Sequence, residues 1–332
     1  MKIRREAVVS MEVYKTILDA IGNTPLVRLN KVSKGLKPTI LAKLENLNPG
    51  GSVKDRIGVA MVEQAEQRGF LRPGGTIIEP TSGNTGVGLA MVASVKGYRM
   101  IFVMPDKMSE EKRAILRAYG AKVVVTPTNV PPESPEHYTK VAQRLAQETS
   151  DSYMPNQYEN RVNPDAHYRT TGPEIWRQAE GKVDVFVCGM GTGGTITGTG
   201  RFLKEKRKNM RIVGADPEGS IFYPRFHREK EEPHQYKVEG IGEDFMPGTL
   251  DMSIVDDIIK VSDRDAFRMA RRLAQEEGIL VGGSGGTAVH AALKVAELLP
   301  RNKTIVTLLP DTGRNYLSKL FSDQWMSEQG FL

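Results

Sequence analysis

Short apolar runs that end in glycine-containing turns and lead into helix-patterned segments recur along this chain. No other feature restricts the fold as strongly. "TILAKLENL" (39–47) and "GTIIEPTS" (75–82) read as strands that each lead into such a turn. "VGLAMVASVKG" (87–97) reads as a buried helix stopped at Gly97, and "RMIFVMP" (99–105) as the next strand. "SEEKRAILRAYG" (109–120) has Ser109 as an N-cap, acids in its first turn and a glycine stop. "AKVVVTP" and "SPEHYTKVAQRLAQETS" continue the strand–helix order. Later strands are "VDVFVCGMG", "RIVGADPEG" and "KTIVTLLPD", with "DAFRMARRLAQEEG" and "AVHAALKVAELL" as helices among them. The alternation predicts an α/β fold with parallel sheet and helices on both faces. Ligands of such sheets sit at the carboxyl ends of the strands, where these turns fall.

At 332 residues, the chain is long enough for one large domain or two moderate ones. Hydrophobic residues make up 39% and charged residues 26%, as in a globular protein with a sizeable core. The net charge of +6 is spread among both signs. Its densest basic run, "RFLKEKRKNMR" (201–211), reads as the end of an amphipathic helix, so no nucleic-acid partner is expected. Cys188 is the sole cysteine, which excludes an internal disulfide and suits a reducing compartment. It reads as a small buried residue rather than a nucleophile. The basic start lacks an apolar stretch, and no run is long enough to cross a membrane. The expectation is a cytoplasmic protein with no membrane partner. The 216–242 region reads as a charged surface loop carrying His227 and His234, and no metal site is expected there.

Three glycine-rich turns carry candidate chemistry. "GMGTGGTITG" (189–198) follows an apolar strand and opens a helix, where backbone amides and the helix dipole hold a phosphate. Thr192 and Thr195 add hydroxyls. Gly189, Gly191 and Gly194 also fit the dinucleotide spacing, and Asp216 lies where a ribose-binding acid sits. An NAD-dependent oxidoreductase and a plain structural turn therefore both remain open from this loop alone. "EPTSGNTGVG" (79–88) packs Thr81, Ser82, Asn84 and Thr85 around two glycines, which suits a carboxylate, although a polar helix cap uses the same residues. In "NLNPGGSVKDRI" (46–57), Lys54 follows a Pro-Gly-Gly turn at the mouth of a helix. A desolvated lysine can form a Schiff base. Lysine, phosphate turn and carboxylate turn together meet the needs of pyridoxal phosphate acting on an amino acid.

"GGSVKDR", "EPTSGNTG", "GTGGT" and "GGSGGT" occur in this order. From about Tyr14 to Leu332 the chain resembles the fold-type II pyridoxal-phosphate enzymes of the cysteine synthase and cystathionine beta-synthase family. "MPDKMSEEK", "NPDAHYRTT", "DPEGSI", "VEGIGEDF" and "SDQWMSEQGFL" are most similar to the catalytic core of the cystathionine beta-synthase branch. The resemblance implies a tryptophan synthase beta-like fold of two parallel-sheet α/β domains with the cofactor in the cleft. The larger domain would comprise 12–53 and 155–332, and the smaller, mobile one 54–154, after an extension at 1–11. It implies that Lys54 carries pyridoxal 5'-phosphate and removes the substrate α-proton. Gly191, Thr192, Gly193, Gly194 and Thr195 would hold the phosphate, Asn84 the ring hydroxyl, and Ser284 would face the pyridine nitrogen. Thr81, Ser82, Thr85 and Gln157 would bind the substrate carboxylate. Gly240, Ile241 and Gly242 would line the entrance of the second substrate, with Tyr158 near it.

The reaction so implied is β-replacement, condensing L-serine with L-homocysteine to L-cystathionine and water through an aminoacrylate. Cysteine synthesis from O-acetylserine and sulfide is the alternative, and a homodimer is expected. The animal enzymes carry an N-terminal haem segment with cysteine and histidine ligands; here few residues precede the core, so no haem is expected. C-terminal regulatory repeats, and activation by S-adenosylmethionine, are likewise not expected. Glu243 stands where the animal enzymes have an aromatic residue, which bears on the choice of second substrate.

Overall fold

The computed structural model describes residues 13–332 except Ser82, Lys107, Ser109 and Pro132. The 1–11 extension, the Ser82 carboxylate contact and the Ser109 cap therefore lie outside the described residues. Among the described residues, ten strands form two sheets. The larger joins β1 (Leu26–Arg28), β2 (Thr39–Leu44), β7 (Val185–Gly189), β8 (Arg211–Pro217), β9 (Asp257–Val261) and β10 (Thr304–Leu309). Their spatial order is β1-β2-β10-β7-β8-β9. Only β1, on the edge, runs antiparallel. The smaller sheet contains β3 (Thr76–Pro80), β4 (Arg99–Pro105), β5 (Lys122–Thr126) and β6 (Ser152–Tyr153). It is wholly parallel, in the order β5-β4-β3-β6.

Parallel strands need helical crossovers, and the helices cover both faces of each sheet. They are α1 (Lys54–Gln67), α2 (Asn84–Lys96), α3 (Glu110–Ala118), α4 (Tyr138–Glu148), α5 (Val162–Arg169), α6 (Thr171–Gln178), α7 (Gly194–Lys206), α8 (Phe222–His227), α9 (Asp263–Arg272), α10 (Gly283–Glu297) and α11 (Asp323–Glu328). Strand β7 shows why its sequence is apolar throughout. Val185 and Val187 pack into the core beneath α9 and α10, whereas Phe186 and Cys188 enter the opposite core with Ile196 and Leu203 of α7. In β3, Ile77 and Ile78 divide in the same way between the α1–α2 face and the α4 face. Side chains alternate along a strand, so a strand buried on both faces is a continuous apolar run. Full burial of each such side chain contributes about 1.5–3 kcal/mol.

Two features of the region 216–242 depart from the sequence reading of a loop. Phe222–His227 forms α8, with Phe222 fully buried. His227 Nε2 lies 3.2 Å from the Ile258 carbonyl oxygen, so its ring packs on strand β9. The strand reading of 39–47 also ran too far: β2 ends at Leu44, and Glu45–Leu47 turn as a 3-10 segment. Glu45 turns inward there because a guanidinium awaits it, a contact that periodicity does not encode.

Candidate active site

Lys54 opens α1, and a buried ion cluster fixes that end of the helix. Arg56 donates to Glu45 at 2.6 and 2.8 Å and to Glu174 at 2.7 and 2.8 Å. Lys43 adds a 2.6 Å bond to Glu174, and Thr24 a 2.6 Å bond to Glu45. Burial opposes the charge on Glu45, but Arg56 prevails and holds its pKa at about 2. Removing one partner of such a cluster leaves an uncompensated buried charge, which costs about 3–5 kcal/mol. Asp55 pins the preceding turn by accepting the Gly50 amide at 2.6 Å. The residues around Lys54 in "GGSVKDR" thus anchor the backbone from which it projects.

Lys54 lies at the junction of two adjoining recesses. The larger is a cleft of about 590 Å³, within the range of small-molecule sites. Burial pushes the Lys54 amine below its ordinary pKa, against the opposing pull of Asp311 and Glu243. The smaller recess, about 20 Å³, is lined by Gly191, Thr192, Gly193 and Thr195 together with Lys54. Here the chain leaves β7 and enters α7. Gly193 adopts φ +80°, which a side chain disfavours. A Cβ on Gly194 would lie 1.8 Å from Asn163 Oδ1, so the loop and Asn163 fit only with glycine there. Asn163 Nδ2 donates to Thr192 Oγ1 at 3.0 Å and to the Gln157 carbonyl at 2.9 Å. Thr249 donates to the Thr192 carbonyl from the other side, and Thr195 Oγ1 lies 3.3 Å from His167 Nε2. No protein acceptor for the amides of Gly191, Thr192 and Gly193 is found among the described residues. These donors at a helix N-terminus suit a phosphate.

The opposite wall of the cleft is the turn between β3 and α2. Thr81, Asn84 and Thr85 line it, with Gln157 alongside. Thr85 donates to Gln157 Oε1 at 2.6 Å. Asn84 Nδ2 donates to Asp311 Oδ2 at 2.9 Å, leaving its carbonyl oxygen directed elsewhere. Glu79, buried at the end of β3, accepts the amides of Asn156 and Gln157 at 2.9 and 3.2 Å. Burial raises its pKa to about 7, although the two amides oppose the rise. Ser284, in the first turn of α10, is buried and lines the cleft. Tyr158, Gly240, Ile241, Gly242 and Glu243 complete one rim.

The structure therefore brings Lys54, Thr81, Asn84, Thr85, Gln157, Tyr158, Ser284, 240–242 and Gly191, Thr192, Gly193 and Thr195 around the two adjoining recesses, whereas Gly194 lines neither and packs against Asn163. Asp216 stands apart. The dinucleotide reading needs it on a ribose, but it is fully buried and accepts the Tyr223 amide at 2.9 Å, capping α8. Three further residues had no role from sequence. Asp311 follows β10, lines the cleft, and accepts from Asn84 and, at 2.7 Å, from the Tyr316 hydroxyl. Its Oδ1 is buried without a partner among the described residues. Its only sequence signal is an acid at the carboxyl end of "KTIVTLLPD". Asn163 and Glu79 lie within "NPDAHYRTT" and "EPTSGNTG", and neither motif distinguishes a scaffold residue from a contact residue.

A lysine below its ordinary pKa, a phosphate turn with open amides and a neutral buried serine together fit pyridoxal phosphate. The comparisons with known proteins agree. The family model described as "Pyridoxal-phosphate dependent enzyme" matches residues 17–311. Cystathionine beta-synthase of Oryctolagus cuniculus is 54% identical over 325 residues, covering 97% of this chain and 59% of that protein. The chain thus spans about three-fifths of the length of that relative. Cysteine synthase of Staphylococcus aureus (strain Mu50) is 48% identical over 303 residues, covering 91% of this chain and 95% of the relative. Among solved structures, the O-acetylserine dependent cystathionine beta-synthase from Helicobacter pylori superposes with a TM-score of 0.85 at 42% identity. That likeness covers 93% of this chain and 99% of the other. The dinucleotide alternative is thereby set aside, and the chain belongs to the family of pyridoxal-phosphate dependent enzymes, with the fold-type II architecture of the cystathionine beta-synthases and cysteine synthases.

Proposed function

We propose that this chain catalyses β-replacement on an amino acid, joining L-serine to L-homocysteine to give L-cystathionine and water. The observation that carries the reading is the position of Lys54, between a phosphate-binding recess and a wall of hydroxyls and amides. When bound, pyridoxal phosphate supplies an electron sink that acidifies the α-C–H bond of an attached amino acid. The 191–195 turn would hold its phosphate, Asn84 its ring hydroxyl and Ser284 its ring nitrogen. A serine at the ring nitrogen is neutral and holds no fixed negative charge there, which favours elimination and replacement at the β-carbon over transamination. Thr81, Ser82, Thr85 and Gln157 would orient the substrate carboxylate. Lys54 Nζ, kept below its ordinary pKa by burial, takes the α-proton and returns it after the thiol has added.

The smaller sheet carries the carboxylate loop, and its closure on the larger lobe would exclude water from the reacting carbon. We assign 54–154 to this mobile unit and the remainder of the core, 12–53 and 155–332, to the anchoring one. Scattering that is unchanged on adding serine would sink the closure. We further propose that the chain acts on small-molecule substrates as a homodimer in the cytoplasm. Relatives named both cystathionine beta-synthase and cysteine synthase keep a second reading alive, with O-acetylserine and sulfide as substrates. Incubating the cofactor-loaded enzyme with each substrate pair, and identifying products by mass spectrometry, separates the two. Cystathionine as the favoured product supports the first reading. Cysteine alone moves the protein to the second, and absence of both products overturns β-replacement.

A further inference from the structure

We propose that Glu243 selects the second substrate: its carboxylate receives the ammonium group of an incoming amino-acid thiol. The proposal rests on the β-replacement reading above and names the contact that would distinguish homocysteine from sulfide. Three carboxyl groups from the described residues line the cleft, Glu239, Glu243 and Asp311. Two of them are engaged. Glu239 pairs with Lys112 and with Lys319, and Asp311 accepts from Asn84 and Tyr316. Glu243 has no ion-pair partner among the described residues; its carboxylate is met by the Tyr158 hydroxyl, a neutral donor.

Its backbone is held firmly. The Glu243 amide donates to Ser220 Oγ at 3.1 Å, and its carbonyl accepts the Ile221 amide at 3.0 Å. The side chain follows directly on 240–242, where Gly240 and Ile241 border both recesses beside Lys54. Lys54 of α1, Tyr138 of α4, Tyr158 and Tyr236 line the cleft with it, and Asp244 is its neighbour in sequence. Burial raises its pKa to about 7, while Tyr158 and Lys54 favour the charged form. A partly buried carboxylate of this kind gains when a cation arrives, because a charge-assisted hydrogen bond replaces incomplete solvation. The polar wall from Thr81 to Gln157 suits the carboxylate of the first amino acid, so the two walls offer opposite complementarity. Sulfide, which carries no ammonium, cannot use Glu243.

The test pairs a protein change with a ligand change. Homocysteine and 4-mercaptobutyrate differ only by the amino group. With serine as first substrate, kcat/KM for each thiol is measured on the cofactor-loaded wild type, on Glu243→Gln and on Glu243→Asp, with product read by mass spectrometry. Cofactor absorbance confirms that each variant is loaded. The loss on homocysteine in E243Q should exceed the loss on 4-mercaptobutyrate by on the order of 10- to 100-fold, the range for a hydrogen bond to a charged group. It should appear mainly in KM, and E243D should lose less than E243Q. A ratio below about threefold is less than such a bond is worth and overturns the assignment. Wild-type enzyme that uses both thiols equally well overturns it without any variant. In both cases cystathionine formation still stands. Wild-type enzyme that turns over sulfide but not homocysteine overturns the Glu243 assignment and the cystathionine reading together.

Discussion

Two turns of this protein share one plan and differ in how they are held. Each follows the carboxyl end of a parallel strand, contains glycine and polar residues, and opens a helix: β7 to α7 at 189–195, and β3 to α2 at 80–85. The first is clamped from three sides. Asn163, Thr249 and His167 all reach it, and Gly194 sits against Asn163 with no room for a methyl group. The second has fewer tethers among the described residues: Thr85 to Gln157, Asn84 to Asp311, and the Thr81 amide to the Val103 carbonyl. A Cβ on Gly83 meets nothing within 4 Å. A resident phosphate rewards a rigid cradle, because preorganised donors lose little entropy on binding. A substrate that comes and goes is better met by a loop that can open.

Lys54 serves both turns, so its loss has the largest expected effect. Lys54→Ala should lower turnover by roughly 10³-fold or more and abolish the absorbance of the lysine-bound cofactor. Retention of that absorbance would mean another lysine carries the group. Next in size is the glycine pair that defines the contrast. Gly194→Ala forces Asn163 to move and should destabilise the protein by about 1–3 kcal/mol, with weaker cofactor binding. Gly83→Ala should change stability by about 0.5 kcal/mol or less. Thermal denaturation and cofactor titration read both, and equal shifts would break the comparison. Gln157→Ala releases Thr85 and should raise KM for serine by roughly tenfold. Cofactor affinity should stay close to that of the wild type; a matching fall there would show that the two turns are one unit.

A further effect, on stability rather than turnover, concerns pH. Burial raises the Glu79 pKa in the folded protein to about 7, above its ordinary value of 4.5. Folding therefore takes up a proton on this residue between those values. Its stabilising contribution is complete below pH 4.5 and is lost as the pH rises through about 7. Glu79→Gln should remove this part of the decline, flattening the melting temperature between those limits. An unchanged profile would show that Glu79 is ionised throughout.

Much of this fold is written in local pattern. The limits of β4, Arg99–Pro105, are legible in the sequence because strong apolar character meets turn residues at both ends. Helix α2 stops at Gly97, which takes the left-handed conformation that a glycine stop supplies. Other elements left weak traces. The edge strand β1 has only three residues, two of them exposed, and β6 has two. Helix α8 carries proline and charge, and its inward residue, Phe222, is set by packing rather than by period.

The sequence by itself determined the strand–turn–helix order, the three glycine-rich turns and the singular setting of Lys54. These are local properties, since side-chain periodicity and turn chemistry act over a few residues. Only the tertiary structure decided which groups meet. Asn84 and Asp311 stand 227 positions apart, yet share a hydrogen bond. Asn163 joins Gln157 to the 191–195 turn, and Glu243 comes to line the same cleft as Lys54. Such meetings depend on how two sheets are laid against each other, and nothing in the spacing of residues along the chain records that.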